Sequence, residues 1–211
     1  MTKGTETRQR IVDRALALAS TEGIEGITLG VLADSLSLSK SGLFAHFKSR
    51  EALQIAILDD AAARFIERVV SPGMKATRGE PRVRALFERW LDWGLSRSLP
   101  GGCIFVAAAV ELDDRPGPVR DTLVRGQRAW ISTIADAARG AIEEGHFSSK
   151  VDPEGFAFEL YGLALATHHA ARLLREPKTL EHARAGFERL IASARPAPAS
   201  KSSRARHGVK R

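Results

Sequence analysis

The sequence predicts an all-α fold: a head of three helices, a long fourth helix and a body of five more. Three observations carry this expectation. Alanine and leucine dominate the apolar residues, and both favour helix. Apolar residues recur at three- and four-residue spacing between the breakers. The sequence has no long run of β-branched residues of the kind that marks strands.

The first helix is expected over 5–21, opening at Thr5 or Thr7, with Ile11, Val12, Ala15, Leu16 and Leu18 on one side and Gly23 at its end. Ile24 and Ile27 plug the following loop. Thr28 is a good N-cap for a second helix carrying Leu29, Leu32, Ala33 and Leu36. Ser37 and Leu38 interrupt that repeat, and Ser39 can cap a third helix whose apolar side is Leu43 and Phe47. The rest of this helix, with Ser39, Lys40, Ser41, Gly42, Phe44, His46 and Lys48, is too polar for a core. It has the size to enter a major groove, and its donors suit base edges and phosphates.

Ser49 caps a fourth helix with Glu51 in its first turn, where the helix dipole favours a carboxylate. Leu53, Ile57, Leu58, Ala61, Phe65 and Ile66 carry it to about Val70, and Ser71-Pro72-Gly73 is expected to break it. A fifth helix, from about Pro81 to Ser98, carries Val83, Leu86, Phe87, Trp90, Leu91 and Trp93. Cys103 to Leu112 is apolar all round, which predicts a buried sixth helix. Pro118 suits the first position of a seventh, which runs to about Glu144. Asp152-Pro153 opens an eighth, with Phe156, Leu160, Leu163, Ala164, Ala166, Ala170 and Leu173, which Pro177 stops. Thr179 is expected to cap the ninth, with Leu180, Ala183, Phe187, Leu190 and Ile191. Residues 196–211 are of low complexity, which predicts a disordered tail.

With 211 residues there is room for a proper core. No stretch approaches eighteen uncharged apolar residues, so no membrane span is expected. The first residues lack the apolar centre of a signal peptide, and a single cysteine suits a reducing, cytoplasmic setting. The net charge of +7 is largely local. Lys201, Arg204, Arg206, Lys210 and Arg211 fall in the last sixteen residues without an acid, which leaves +2 on the remainder. Charge alone would not mark a nucleic-acid-binding protein.

The stretch from Thr28 to Leu53, ending Leu-Phe-Ala-His-Phe-Lys-Ser-Arg-Glu-Ala-Leu, resembles the DNA-binding domain of TetR-family transcriptional regulators. The likeness covers about residues 5–65, with Arg8, Ile11, Ala15, Leu18 and Gly23 in register. It implies a helix-turn-helix domain over 5–65 with its motif at 28–47, an effector-binding and dimerisation domain over 66–195, and the basic tail over 196–211. By the same resemblance Thr28, Ser39, Ser41, His46, Lys48 and Phe44 would hold phosphate or sugar. Lys40 and Ser41 would read bases, and Gly42 would let the backbone approach the duplex. Two departures stand out: Ser37 where the family usually has Gly in the turn, and Phe44 where it often has Tyr.

The resemblance further implies a repressor released from palindromic double-stranded DNA by a small-molecule effector. Trp90, Trp93, Cys103, Phe105 and Trp130 lie on the helices that would enclose it, although aromatics at helical spacing also suit plain core packing. The last two helices would form a homodimer interface, with Leu163, Ala166, Ala170, Leu173 and Phe187 at the contact. Two alternatives stay open: a redox regulator acting through Cys103, and a ligand-binding protein that no longer binds DNA. Glu111 is either a buried partner for a cation or the exposed end of its helix. His168 and His169 point about 100° apart on a helix and do not form a metal signature. No catalytic set, cofactor motif or metal-spaced cluster is evident, so no enzyme, cofactor or metal is expected.

Overall fold

The structure, a computed structural model, describes residues 3–96 and 99–197. Among these every regular element is helical. Helices α1 (Lys3–Glu22), α2 (Leu29–Leu36) and α3 (Lys40–Phe47) form the head, and α4 (Arg50–Phe65) leads away from it. A π-helical segment (Ile66–Val70) and α5 (Ser71–Met74) prolong α4. The body adds α6 (Glu80–Gly94), α7 (Ile104–Leu112), α8 (Pro118–Glu143), α9 (Pro153–His169) with a second π segment (Ala170–Leu174), and α10 (Thr179–Ala194).

The head closes as the apolar spacing dictates. Ile11, Val12, Ala15 and Leu16 of α1 bury against Leu32 and Ala33 of α2, Leu43 and Phe47 of α3, and Leu53 and Ile57 of α4. Burying a side chain such as Leu43 or Phe47 contributes about 1.5–3 kcal/mol. The Arg8 guanidinium sits 5.0 Å from the centre of the Phe47 ring, fastening α1 to α3. At the second turn, Ser37 adopts the left-handed conformation (φ 54°) and Leu38 N donates to Ala33 O at 3.0 Å. This is the helix-ending geometry that glycine takes most readily.

Four expectations need correction. Ser71-Pro72-Gly73 does not break the chain. In the π segment before it the Ser71 N–H reaches back to Ile66 O, and the wider turn relieves the clash a proline ring makes with the carbonyl four residues earlier. Gly73 is a packing residue instead: a Cβ there would lie 2.4 Å from Leu86 Cδ2 of α6. Helix α7 is not buried all round, since Val110 is 76% exposed; the buried side is Ile104, Ala108 and Leu112. Thr179 is not a cap acceptor, because its hydroxyl donates to Glu176 O at 2.7 Å. Phe187 is not at an outer surface: it stacks on Phe87 of α6, with ring centres 3.9 Å apart. A ring so placed contributes to the core of its own chain and offers nothing to a second one.

α8 lies at the centre of the body, packed against α4, α6, α7 and α9, while α10 packs on α9. Buried side chains run without a gap from α1 through α4 into α6 and α8. A smaller cluster joins Ile24 and Leu58 to Ala108 and Leu112 of α7 and to Val119 and Leu123 of α8. Residues 198–211, which include the five tail cations, lie outside the described residues.

Candidate nucleic-acid interface and effector cavity

The third helix is held by its caps. Ser39 Oγ accepts from Gly42 N at 3.1 Å and lies 3.2 Å from Ser41 Oγ. Thr28 Oγ1 accepts from Val31 N at 3.2 Å and starts α2. With Leu43 and Phe47 buried, the 100° step of a helix turns Ser41, Gly42, Phe44, Ala45 and Lys48 outward. Phe44 is 55% exposed, an unusual place for a large ring in a monomeric surface. His46 stands at the flank, half-buried. Lys48 ends the helix at φ 55°, its N–H donating to Phe44 O at 2.9 Å. Lys40 begins α3, and its side chain lies outside the described part of the molecule. The face therefore presents small groups, one ring and a cation, with no acid among Ser41 to Lys48.

Along the chain from this face, α4 reaches a cavity of about 310 Å³. Ala62 and Phe65 of α4 line it, followed by Ile66 and Val70 of the π segment. Trp90 comes from α6, Cys103, Phe105 and Val106 from the start of α7, and Gly126, Gln127, Ala129, Trp130 and Thr133 from α8. Tyr161 of α9 completes the wall. Phe65 is the hub of the aromatic set. Its ring stands edge-on to Trp93, Phe105 and Trp130, with centres 5.4, 5.9 and 4.9 Å away.

Trp90, Cys103, Phe105 and Trp130 line the cavity, and Trp93 does not. Trp93 is buried behind the wall, against Phe65 and Phe105. Sequence reasoning missed Tyr161, Gln127, Thr133 and the α4 contribution. Tyr161 had one available signal, as the chain's single tyrosine. In the sequence Phe65 and Ile66 read as part of the apolar stripe of their helix, and Gln127 carries no signal. Tyr161 Oη donates to Gln127 Oε1 at 2.8 Å, and Gln127 Nε2 donates to Phe105 O at 3.0 Å.

Cys103 is buried, and burial pushes its thiol above the ordinary value. A reactive sensor needs the opposite, a thiolate favoured by nearby positive charge, so the site gives the thiol-sensor alternative no support. His168 is half-buried and desolvation lowers its pKa, while His169 is exposed. Among the described residues no group of metal-ligating side chains is assembled. No helix is long and apolar enough to cross a membrane among them.

At the far end, α9 shows an apolar stripe. Phe158 is 77% exposed and Leu173 is 70% exposed, and Gly162, Leu165 and His169 follow between them at three- and four-residue spacing. Ala166 is exposed beside this stripe and Ala170 half-buried. Leu163 instead leans on α10, where a Cβ on Gly186 would lie 2.9 Å from its Cδ1. Phe158 is the residue that sequence reasoning overlooked here.

A capped, outward-facing third helix on a three-helix head, joined by one helix to a body with an apolar cavity, defines a helix-turn-helix DNA-binding regulator. Residues 11–57 match bacterial regulatory proteins of the tetR family, and residues 79–187 match the tetracyclin repressor-like C-terminal domain. The chain belongs to the TetR family of transcriptional regulators, which are not enzymes. It is 25% identical to the HTH-type transcriptional repressor NemR of Escherichia coli (strain K12), over 92% of this chain and 98% of that protein. A TetR transcriptional regulator from Chloroflexus aurantiacus J-10-FL superposes with a TM-score of 0.80 at 28% identity, covering 91% of this chain and 96% of its own. AibR, solved in complex with isovaleryl coenzyme A and operator DNA, has a TM-score of 0.65 at 23% identity, over 76% and 85% of the two chains.

Proposed function

We propose that this protein is a homodimeric repressor that holds a palindromic operator and leaves it when a small molecule enters the α4–α9 cavity. The observation that carries the reading is the outward row Ser41, Gly42, Phe44 and Lys48, set opposite the buried Leu43 and Phe47. That row can lie in a major groove while Thr28 and Ser39, at the two helix starts, stand beside the backbone. The missing hydroxyl at Phe44 leaves it to pack on a sugar or a thymine methyl. NemR is named as a repressor, and AibR was solved with both an acyl-CoA and operator DNA; each supports the sign and the two-ligand logic by likeness.

The chain divides functionally into the head at 5–65, the body at 66–195 and the basic tail at 196–211, working on cytoplasmic DNA. The occupant of the exposed α9 stripe is a second copy of the chain, with Phe158, Leu165, Ala166, Ala170 and Leu173 in the contact. The switch is positional. Phe65 stands at the cavity on the same rigid helix whose Leu53 and Ile57 lie in the core of the head. A ligand that displaces Phe65 tilts α4 and changes the separation of the two heads, so that they no longer match successive major grooves.

Selection from a random DNA library tests the reading. A palindromic motif with two half-sites, bound at a dimer stoichiometry, is the expected result. Enrichment of no motif would remove the DNA-binding function and leave a ligand-binding protein.

A further inference from the structure

We infer that the cavity takes an uncharged, mostly aromatic molecule of about two fused rings bearing one hydroxyl, which is held at the Tyr161–Gln127 pair. This rests on the reading that the cavity is the effector site, and it specifies the chemistry of the effector.

Charge is decided first. Among the described residues, the lining contains no Asp, Glu, Lys, Arg or His. Its titratable groups are Cys103 and Tyr161, and burial raises both, Tyr161 to about 12, so that each is neutral at physiological pH. A carboxylate, phosphate or ammonium entering here would lose its water and meet no counter-charge. Size follows. A dry apolar cavity of about 150 Å³ accommodates benzene. The 310 Å³ available here suits roughly twice that bulk. Shape agrees, since Phe65, Trp90, Phe105 and Trp130 offer ring edges and faces to a flat partner.

The polar corner fixes the remaining group. Tyr161 spends its one proton on Gln127 Oε1, and Gln127 spends one of its two amide protons on the Phe105 carbonyl. A lone pair on the phenol oxygen and one amide N–H are left over. A ligand hydroxyl matches both, donating to Tyr161 Oη and accepting from Gln127 Nε2. Thr133 offers an acceptor alone, because its hydroxyl already donates to Ala129 O at 2.9 Å, whereas the Tyr161–Gln127 pair offers an acceptor and a donor together. Access lies between the π segment and α8, where Ile66, Gly126 and Ala129 are exposed.

Isothermal titration of the full chain with four probes of similar size tests this: 2-naphthol, 2-naphthoate, 2-naphthylmethylammonium and the parent naphthalene. Binding of 2-naphthol is expected, with both ions weaker by at least about a hundred-fold. Tyr161→Phe should weaken 2-naphthol about ten-fold and leave naphthalene binding unchanged. Gly126→Trp, at the exposed mouth of the cavity, should weaken binding with the fold intact, since a Cβ at Gly126 meets no atom within 4 Å. Either ion binding within ten-fold of 2-naphthol, or no binding of 2-naphthol by protein that selects an operator, overturns the inference. Binding in the expected order without DNA release upholds the ligand class and removes the effector role proposed above.

Discussion

Glu111 Oε1 accepts a hydrogen bond from the backbone N–H of Ile24 at 3.0 Å, across 87 residues of sequence. Its second oxygen takes the N–H of Glu25 at 2.8 Å. The carboxylate therefore clamps the turn that joins α1 to α2. A Cβ on Gly23, which has φ +80°, would lie 2.7 Å from Glu111 Oε1, so both the backbone conformation and the close approach to Glu111 favour glycine here. Gln54 and Arg115 reinforce the clamp. The first donates to Ile24 O at 3.0 Å, and the second pairs with Glu25 at 2.6 Å. α7 carries Glu111 at one end and Phe105 at the cavity, so it joins the cavity wall to the head, as α4 also does. The Glu111 carboxylate thus finds its partners in the backbone N–H groups of Ile24 and Glu25.

Glu111→Ala should destabilise the protein by about 1–3 kcal/mol, since it strands two part-buried N–H groups. Urea unfolding measures this. Glu111→Gln, which keeps acceptor capacity, should cost less. An alanine variant as stable as the parent would show that the clamp contributes nothing.

Ser37→Gly should stabilise the head by about 0.5–1 kcal/mol. The left-handed φ of 54° strains serine, and the gain is partly offset by the entropy of an added glycine. A lower melting temperature in this variant would contradict the assignment of strain to Ser37.

Lys48→Ala should weaken binding to every DNA sequence by a similar factor and lower the salt slope by roughly two units in a dimer. Lys40→Ala should instead relax preference at one symmetric pair of positions, with discrimination falling by roughly 1–3 kcal/mol there. Library selection on both variants separates the roles. An unchanged motif for Lys40→Ala would place α3 about a quarter turn away from the orientation proposed.

Phe158→Asp or Leu173→Asp should convert a dimer into monomers at micromolar concentration, because each puts a charge into the exposed apolar stripe of α9. Sedimentation reads the outcome. A parent protein that sediments as a monomer would dismantle the proposed operator symmetry along with the interface.

Acid should loosen the join between α6 and α10. The Arg195 hydrogen bond, with help from Arg84, holds the Glu80 carboxyl below the usual carboxylate range. A depressed folded-state pKa gives stability that is complete above the ordinary carboxylate value and lost as pH falls through the folded value. Arg195→Ala should therefore flatten the acid limb of the stability profile. An unchanged limb would place the acid sensitivity in other carboxylates.

The sequence by itself determined the helices, the head and the outward face of α3. These are local properties: caps such as Thr28, Ser39, Ser49 and Asp152 act within three residues, and apolar spacing sets which side of each helix is buried. Tertiary structure decided what spacing alone leaves degenerate. Phe187 and Phe158 both read as apolar positions on the last long helices, yet one stacks inside on Phe87 and the other stands in the open. Trp93 and Trp90 share one helix, and only Trp90 reaches the cavity. Tyr161 and Gln127, 34 residues apart, become a pair only when α8 and α9 pack. Glu111 found its role in the same way. Helical periodicity says that a side chain is covered. It does not say by what, because the covering atoms come from elements far away in sequence.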